Sequence, residues 1–134
     1  MATEPLRYIT FVEAVVEHIE LMRTLGEARY GIFDRALLQS ALARPQQSAA
    51  YEGASLERQA ATLCFGLIKN HPFIGGNKRT ATHLTDRFLK INGFEIVAAA
   101  SGVVELVMAI EAGRWEIERV TEWMGQHTQP LGRR

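Results

Sequence analysis

One stretch of the chain brings together residue types able to move a proton and to hold an anion: His71-Pro-Phe-Ile-Gly-Gly-Asn-Lys-Arg-Thr-Ala-Thr82. An imidazole titrates near neutral pH and suits a general base. Pro72 cannot lie inside a helix and biases the residue before it toward an extended conformation. A helix entering this stretch should therefore end at about Asn70, with His71 extended at its exit. Gly75-Gly76 permits a tight turn with positive φ, and Asn77 is the expected N-cap of a helix from about Lys78 to Asn92. Lys78 and Arg79 then put two cations at the positive end of that helix dipole, at a cost of ~0.3–1 kcal/mol per charge. An anion reverses the sign, because free backbone N–H groups and two cationic side chains would converge on a phosphate or carboxylate. The competing reading is a glycine turn with an Asn cap and two solvated basic residues.

The spacing is not that of a P-loop, and there is no G-x-G-x-x-G. The order His71-Pro-Phe-x-x-Gly-Asn-Lys-Arg-Thr-Ala resembles the signature of the Fic/Doc superfamily, and its Asn-Lys-Arg-Thr-Ala portion is similar to the death-on-curing (Doc) toxin branch. A second segment, Gly31-Ile-Phe-Asp-Arg-Ala-Leu-Leu-Gln-Ser-Ala-Leu-Ala-Arg-Pro45, is similar to a stretch common in Doc-type toxins. The resemblance runs from the first helix to near the C-terminus. It implies one domain over residues 1–134, an all-α bundle of the Fic/Doc type, with two central helices bracketing the motif loop. It also implies His71 as the base that activates a target hydroxyl against a nucleotide phosphate, with Gly76, Asn77, Lys78 and Arg79 holding phosphates. Phe73 is expected to bury its ring and, with Gly75, to shape the loop.

Most members of the superfamily transfer the AMP part of ATP and carry a second arginine three residues after the first, where this chain has Thr82. The Doc branch lacks that arginine, has Lys where others have Gly, and transfers the γ-phosphate of ATP to elongation factor Tu. Lys78 and Thr82 both side with Doc. The resemblance thus implies a kinase-type toxin acting on a translation factor, with ATP as donor, Mg²⁺ arriving with the nucleotide, and a small antitoxin encoded nearby whose C-terminal helix fills a groove. An AMP-transferring enzyme is one alternative, and a disarmed relative that binds antitoxin or nucleotide is another. One departure bears on that choice. Between Ile74 and Gly76 the family usually has an Asp or Glu that holds Mg²⁺, and this chain has Gly75. Glycine offers a hard cation no side-chain oxygen. A weakened enzyme is the expectation, with no protein metal ligand assigned, Glu52, Asp86 or Glu95 as possible substitutes, and Gly75→Asp as the repair.

Composition narrows the classes further. The 134 residues suffice for one core, and fifteen Lys+Arg against fifteen Asp+Glu leave no net charge, so the footprint of a nucleic-acid binder is missing. A lone cysteine, Cys64, reads as a buried thiol. No apolar run approaches the ~20 residues a membrane helix needs, and no N-terminal signal region is evident, so a cytoplasmic protein with no membrane partner is expected. A metal hydrolase using His71 and His83 would lack H-E-x-x-H.

The elements that must position the motif follow from caps and periodicity. Residues 1–9 read as a lead-in. Thr10-x-x-Glu13 is a capping box opening a helix to about Leu25, on which His18 reads as a surface or packed residue. Asp34 caps a second helix with Leu37, Leu38, Ala41 and Leu42 inward, which Pro45 is expected to end. Residues 46–54 read as a loop, the flap of the resembled fold. Ser48-x-x-x-Glu52-Gly53 also fits a degenerate self-inhibition pattern, a match read as accidental. Ser55 caps a central third helix bearing Ala60, Leu63, Cys64, Leu67 and Ile68. Ala81, Leu84, Phe88 and Leu89 face inward on the fourth, which Gly93 stops. Residues 94–98 read as extended, Ser101 as the cap of a fifth helix through Val104, Val107 and Met108, and about Ile117 to Gln126 as the last. Trp115 and Trp123 read as core, and residues 130–134 as a frayed tail.

Overall fold

A computed structural model of the chain describes residues 5–132. Six helices follow in order: α1 Phe11–Thr24, α2 Arg35–Glu52, α3 Leu56–Asn70, α4 Asn77–Lys90, α5 Ala100–Glu111 and α6 Ile117–His127. Two short strands, β1 Phe94–Ile96 and β2 Thr128–Pro130, pair antiparallel, with Glu95 opposite Gln129. The expected all-α bundle is thus present, with a two-stranded clasp closing its C-terminal end. The tail expected to fray is held as far as Pro130 by that clasp, and Leu131 N donates to Gly93 O at 3.0 Å. Residues 1–4 of the lead-in and 133–134 of the tail lie outside the described residues.

The bundle is built around α3, which touches α2, α4, α5 and α6. Gln59, Ala60, Ala61, Leu63, Cys64, Gly66, Leu67 and Ile68 are all buried, so the helix is apolar on most sides. Burial pushes the Cys64 thiol up to about 12, which makes it an inert core residue. Trp123 is buried and Trp115 half-buried beneath the Arg119 guanidinium.

Several boundaries differ from the sequence reading. Pro45 does not end α2, which continues to Glu52, so residues 46–52 are helix and form no flap loop. The buried positions Leu38, Ala41, Leu42, Pro45 and Ser48 keep helical spacing through the proline, and Ser48 Oγ donates to Pro45 O at 2.8 Å. Packing on α3 outweighs the missing proline N–H. Helix α4 ends at Lys90 rather than Asn92, whose side chain instead ties Arg7 to Phe88 O. Ala99, not Ser101, precedes α5, and Val104 and Met108 lie exposed while Leu106, Val107, Ala109 and Ile110 turn inward.

Helix α1 begins with the expected capping box: Glu13 N donates to Thr10 Oγ1 and Thr10 N to Glu13 Oε1. Hydrogen bonds to the carboxylate from the Thr10 backbone N–H and then from the Thr10 side chain hold the Glu13 carboxyl below its usual range. Its buried face carries Ala14, His18 and Met22. His18 is fully buried and its ring stacks on Phe73, with centroids 4.0 Å apart. Gly31 N donates to His18 Nε2 at 3.0 Å, so the ring proton resides on Nδ1 and faces Thr80 Oγ1 at 2.8 Å. One neutral imidazole thereby joins α1, α4, the α1–α2 loop and the motif loop.

Two outcomes test this packing. Leu67→Ala should cost about 2–5 kcal/mol, read as a lower urea midpoint at unchanged slope. Burial lowers the His18 pKa from 6.5 to about 4. Between those values the unfolded chain binds a proton that the folded chain refuses, so this residue makes stability fall as pH drops through that window, by at most about 1.4 kcal/mol per pH unit. His18→Gln should flatten that part of the stability profile measured from pH 7 to 4.

Candidate functional site

The site begins where α3 ends. His71 N still donates to Leu67 O at 3.3 Å, but the residue turns left-handed, with φ 51° and ψ 54°. It is the one non-glycine residue with positive φ among those described, not the extended residue that Pro72 led one to expect. The reason is that Pro72 O accepts from both Phe33 N (2.8 Å) and Asp34 N (3.1 Å), which fixes the direction of the chain leaving the helix. A left-handed cap makes that turn while still satisfying a terminal carbonyl, at a strain on the order of 1–3 kcal/mol. The His71 side chain is left exposed, with no hydrogen bond or ion pair given to it by any described residue.

The loop beyond is stitched to residues 31–34. Phe73, only 1 % exposed, bridges to Ile32, and Ile74 N donates to Gly31 O at 2.9 Å. Asn77 does not cap α4. Gly76 occupies that place in left-handed conformation, and Asn77 is the first helical residue. Its buried amide faces backward instead, with Oδ1 accepting from Phe73 N and Nδ2 donating to Phe73 O, both at 2.9 Å. The Asn77 side chain therefore shapes the loop and is unavailable to a ligand. Among the described residues no side chain caps α4, and the bond closing its first turn runs from Thr80 N to Gly76 O. The N–H groups of Asn77, Lys78 and Arg79 have no partner within the helix.

A cavity of about 320 Å³ opens over this helix start, lined by Glu27, His71, Gly75, Gly76, Asn77, Lys78 and Arg79. All of the predicted phosphate-holding residues meet there beside His71. Arg79 is exposed and its guanidinium has no pairing partner among the described residues. Lys78 is different: its Nζ reaches Glu111 of α5, 3.1–3.2 Å from both carboxylate oxygens. A half-exposed pair of this kind is worth at most about 1 kcal/mol, so a polyanion can recruit the ammonium back. Lys78 and Arg79 also border an apolar hollow of about 230 Å³ that includes Val104, Val107 and Met108. Thr82 Oγ1 donates to Arg79 O at 3.0 Å and lines the same hollow.

Gly75 has a packing reason. A Cβ placed there would lie 2.5 Å from the Arg29 carbonyl oxygen, a backbone atom that cannot swing away. Gly75→Asp, the expected repair, therefore forces the α1–α2 loop to move before any carboxylate reaches the site. The expected substitutes do not serve either. Glu52 pairs with Arg58 at 2.8 Å, Asp86 accepts from Ile96 N and pairs with Lys90, Glu95 sits on β1, and none of the three lines the cavity. Nor does Ser48, so the self-inhibition pattern does not reach the site. His83 bonds Glu17 at 2.7 Å, away from His71. No group of three or more His, Cys, Asp or Glu side chains able to cage a metal occurs among the described residues. The one carboxylate on the cavity wall is Glu27, in the loop after α1, which no motif or periodicity marked. Mg²⁺ is ordinarily held by one or two carboxylates together with phosphate oxygens and water, and this donor set fits that mode.

The chain is similar to known proteins in sequence and in fold. Residues 8–89 match the model of the Fic/DOC family. Toxin Doc of Mycolicibacterium smegmatis is 38% identical over 81 residues, a stretch covering 56% of this chain and 62% of that toxin. The N-terminal Fic domain of a putative cell filamentation protein, a VirB-translocated Bep effector of Bartonella quintana, superposes with a TM-score of 0.53 at 19% identity. That superposition covers 72% of this chain and 46% of the effector chain, and supports the shared fold. No helix among the described residues is long and apolar enough to cross a membrane. With its motif loop, its central α3 and α4 and the match over more than half its length, the chain belongs to the Fic/Doc family.

Proposed function

We propose that the protein is a Doc-type toxin that transfers the γ-phosphate of ATP to a hydroxyl of a translation factor related to elongation factor Tu. The observation that carries this reading is the meeting of His71 with the uncapped start of α4 and Arg79 on one cavity. The similarity to Toxin Doc, the Lys at position 78 and the Thr at position 82 favour the γ-phosphate over AMP. The proposed partner in the cell is a small antitoxin, and the compartment the cytoplasm.

In this reading the amides of Asn77 to Arg79 and the two cationic side chains take the phosphates, with positions set by the Asn77–Phe73 tether rather than by the ligand. His71, held at the helix exit, accepts the proton of the incoming hydroxyl as its oxygen bonds to the γ-phosphorus and the bond to the β-phosphate oxygen breaks, releasing ADP. Mg²⁺ bound with the nucleotide supplies neutralisation of phosphate charge.

Gly75 favours a second reading, a relative that binds nucleotide or antitoxin without transfer, because the family's carboxylate position is closed by Arg29 O. Label transfer to purified elongation factor Tu separates the two. Transfer of γ label and not α label is expected, while α label would mean AMP transfer and no label the disarmed relative. His71→Ala should abolish transfer and growth arrest with unchanged thermal midpoint, and persistent toxicity would refute the base assignment. Arg79→Ala should lower kcat/KM at least tenfold, about 1.4 kcal/mol of transition-state stabilisation.

A further inference from the structure

We propose that Glu27 replaces the carboxylate missing at position 75 and makes this cavity a site for the metal complex of a nucleotide rather than for a bare phosphate. The inference rests on the anion-binding reading of α4 given above and adds to it which residue meets the divalent cation.

Three observations carry it. The loop that excludes a side chain at position 75 is the loop that carries Glu27. Arg29 O would lie 2.5 Å from a Cβ on Gly75, and two residues earlier Glu27 lines the same cavity as Gly75, Gly76 and His71. The wall beside Gly75 thus carries a carboxylate that Gly75 itself cannot supply. Second, the loop is held in place. Glu27 N donates to Met22 O at 2.9 Å, Gly31 N to the buried His18, and Gly31 O accepts from Ile74 N of the motif loop. Third, no described residue gives the Glu27 carboxylate a hydrogen bond or an ion pair, although it shares a cavity wall with Lys78 and Arg79.

The consequence is a sign rule. An unpaired carboxylate repels a bare phosphate entering over the helix start, and so opposes Arg79 and the α4 dipole. The same carboxylate attracts a phosphate that carries Mg²⁺, which takes one protein oxygen and completes its shell with phosphate and water. Glu27 would then discriminate between the two forms of one ligand. A residue that only braced the loop would shift both affinities in the same direction.

The test is titration calorimetry of the full chain with ADP, with and without Mg²⁺, and electron paramagnetic resonance of Mn²⁺ in the presence of ADP. Native protein, Glu27→Gln and Glu27→Ala are compared, with thermal midpoints measured alongside. Both substitutions should weaken Mg²⁺·ADP about tenfold or more, release the Mn²⁺ signal toward that of Mn²⁺·ADP in solution, and leave metal-free ADP bound as well as or better than by the native chain. Mg²⁺·ADP and Mn²⁺ binding in Glu27→Gln equal to native would overturn the inference while leaving the anion site standing. Parallel loss of both affinities would also overturn it. ADP that binds neither native nor variant protein, with or without metal, would overturn the anion site and the Glu27 role together.

Discussion

A loop that must leave its own amide donors open has to be shaped by something other than a ligand, and here Asn77 does this. Its buried side chain satisfies both backbone groups of Phe73. Without that pair, two polar groups would be stranded beside a ring that is 1 % exposed. The usual role of an Asn at this place is to cap the next helix, and the chain gives that up. The first turn of α4 is left without a side-chain cap from any described residue on the cavity side, the opening on which the proposed anion site rests. Preorganisation of the donors is therefore a property of the folded protein.

His18 supports the same loop from beneath. A fully buried imidazole carries a desolvation cost, and this one recovers it through a bond at each nitrogen and a stacking contact with Phe73. Because Nε2 must accept from Gly31, only the neutral ring fits. The strained His71 is the complement of this buried residue: a left-handed backbone on an exposed side chain, tolerated because Pro72 O is tied to two amides of the neighbouring loop. Of these two histidines, the buried one braces the loop and the exposed one keeps its ring nitrogens without a partner among the described residues.

The close approach of the α1–α2 loop decides what position 75 can be. A side chain at this position would have its Cβ 2.5 Å from Arg29 O. The same loop also brings Glu27 to the cavity that Gly75 lines. Charge at the site is balanced locally as well. Lys78 is turned toward Glu111, which leaves Arg79 as the exposed cation at the helix start and relieves part of the unfavourable dipole interaction.

Short-range features were legible in the sequence. The capping box at Thr10, the caps at Asp34 and Ser55, the apolar faces of α3 and α4, and the motif that pairs His71 with a helix start all depend on residues within a few positions of each other, so the chain alone determines them. Tertiary structure decided the rest. Pro45 stays inside α2 because Ala41, Leu42 and Ser48 bury against α3, a packing term that outweighs a local propensity. The buried place of His18, the backward turn of Asn77, the Lys78–Glu111 pair and the presence of Glu27 in the cavity join segments tens of residues apart, or a loop to a helix whose geometry only packing sets. Periodicity cannot report such contacts, because it records which face of an element is apolar and not what lies across from it.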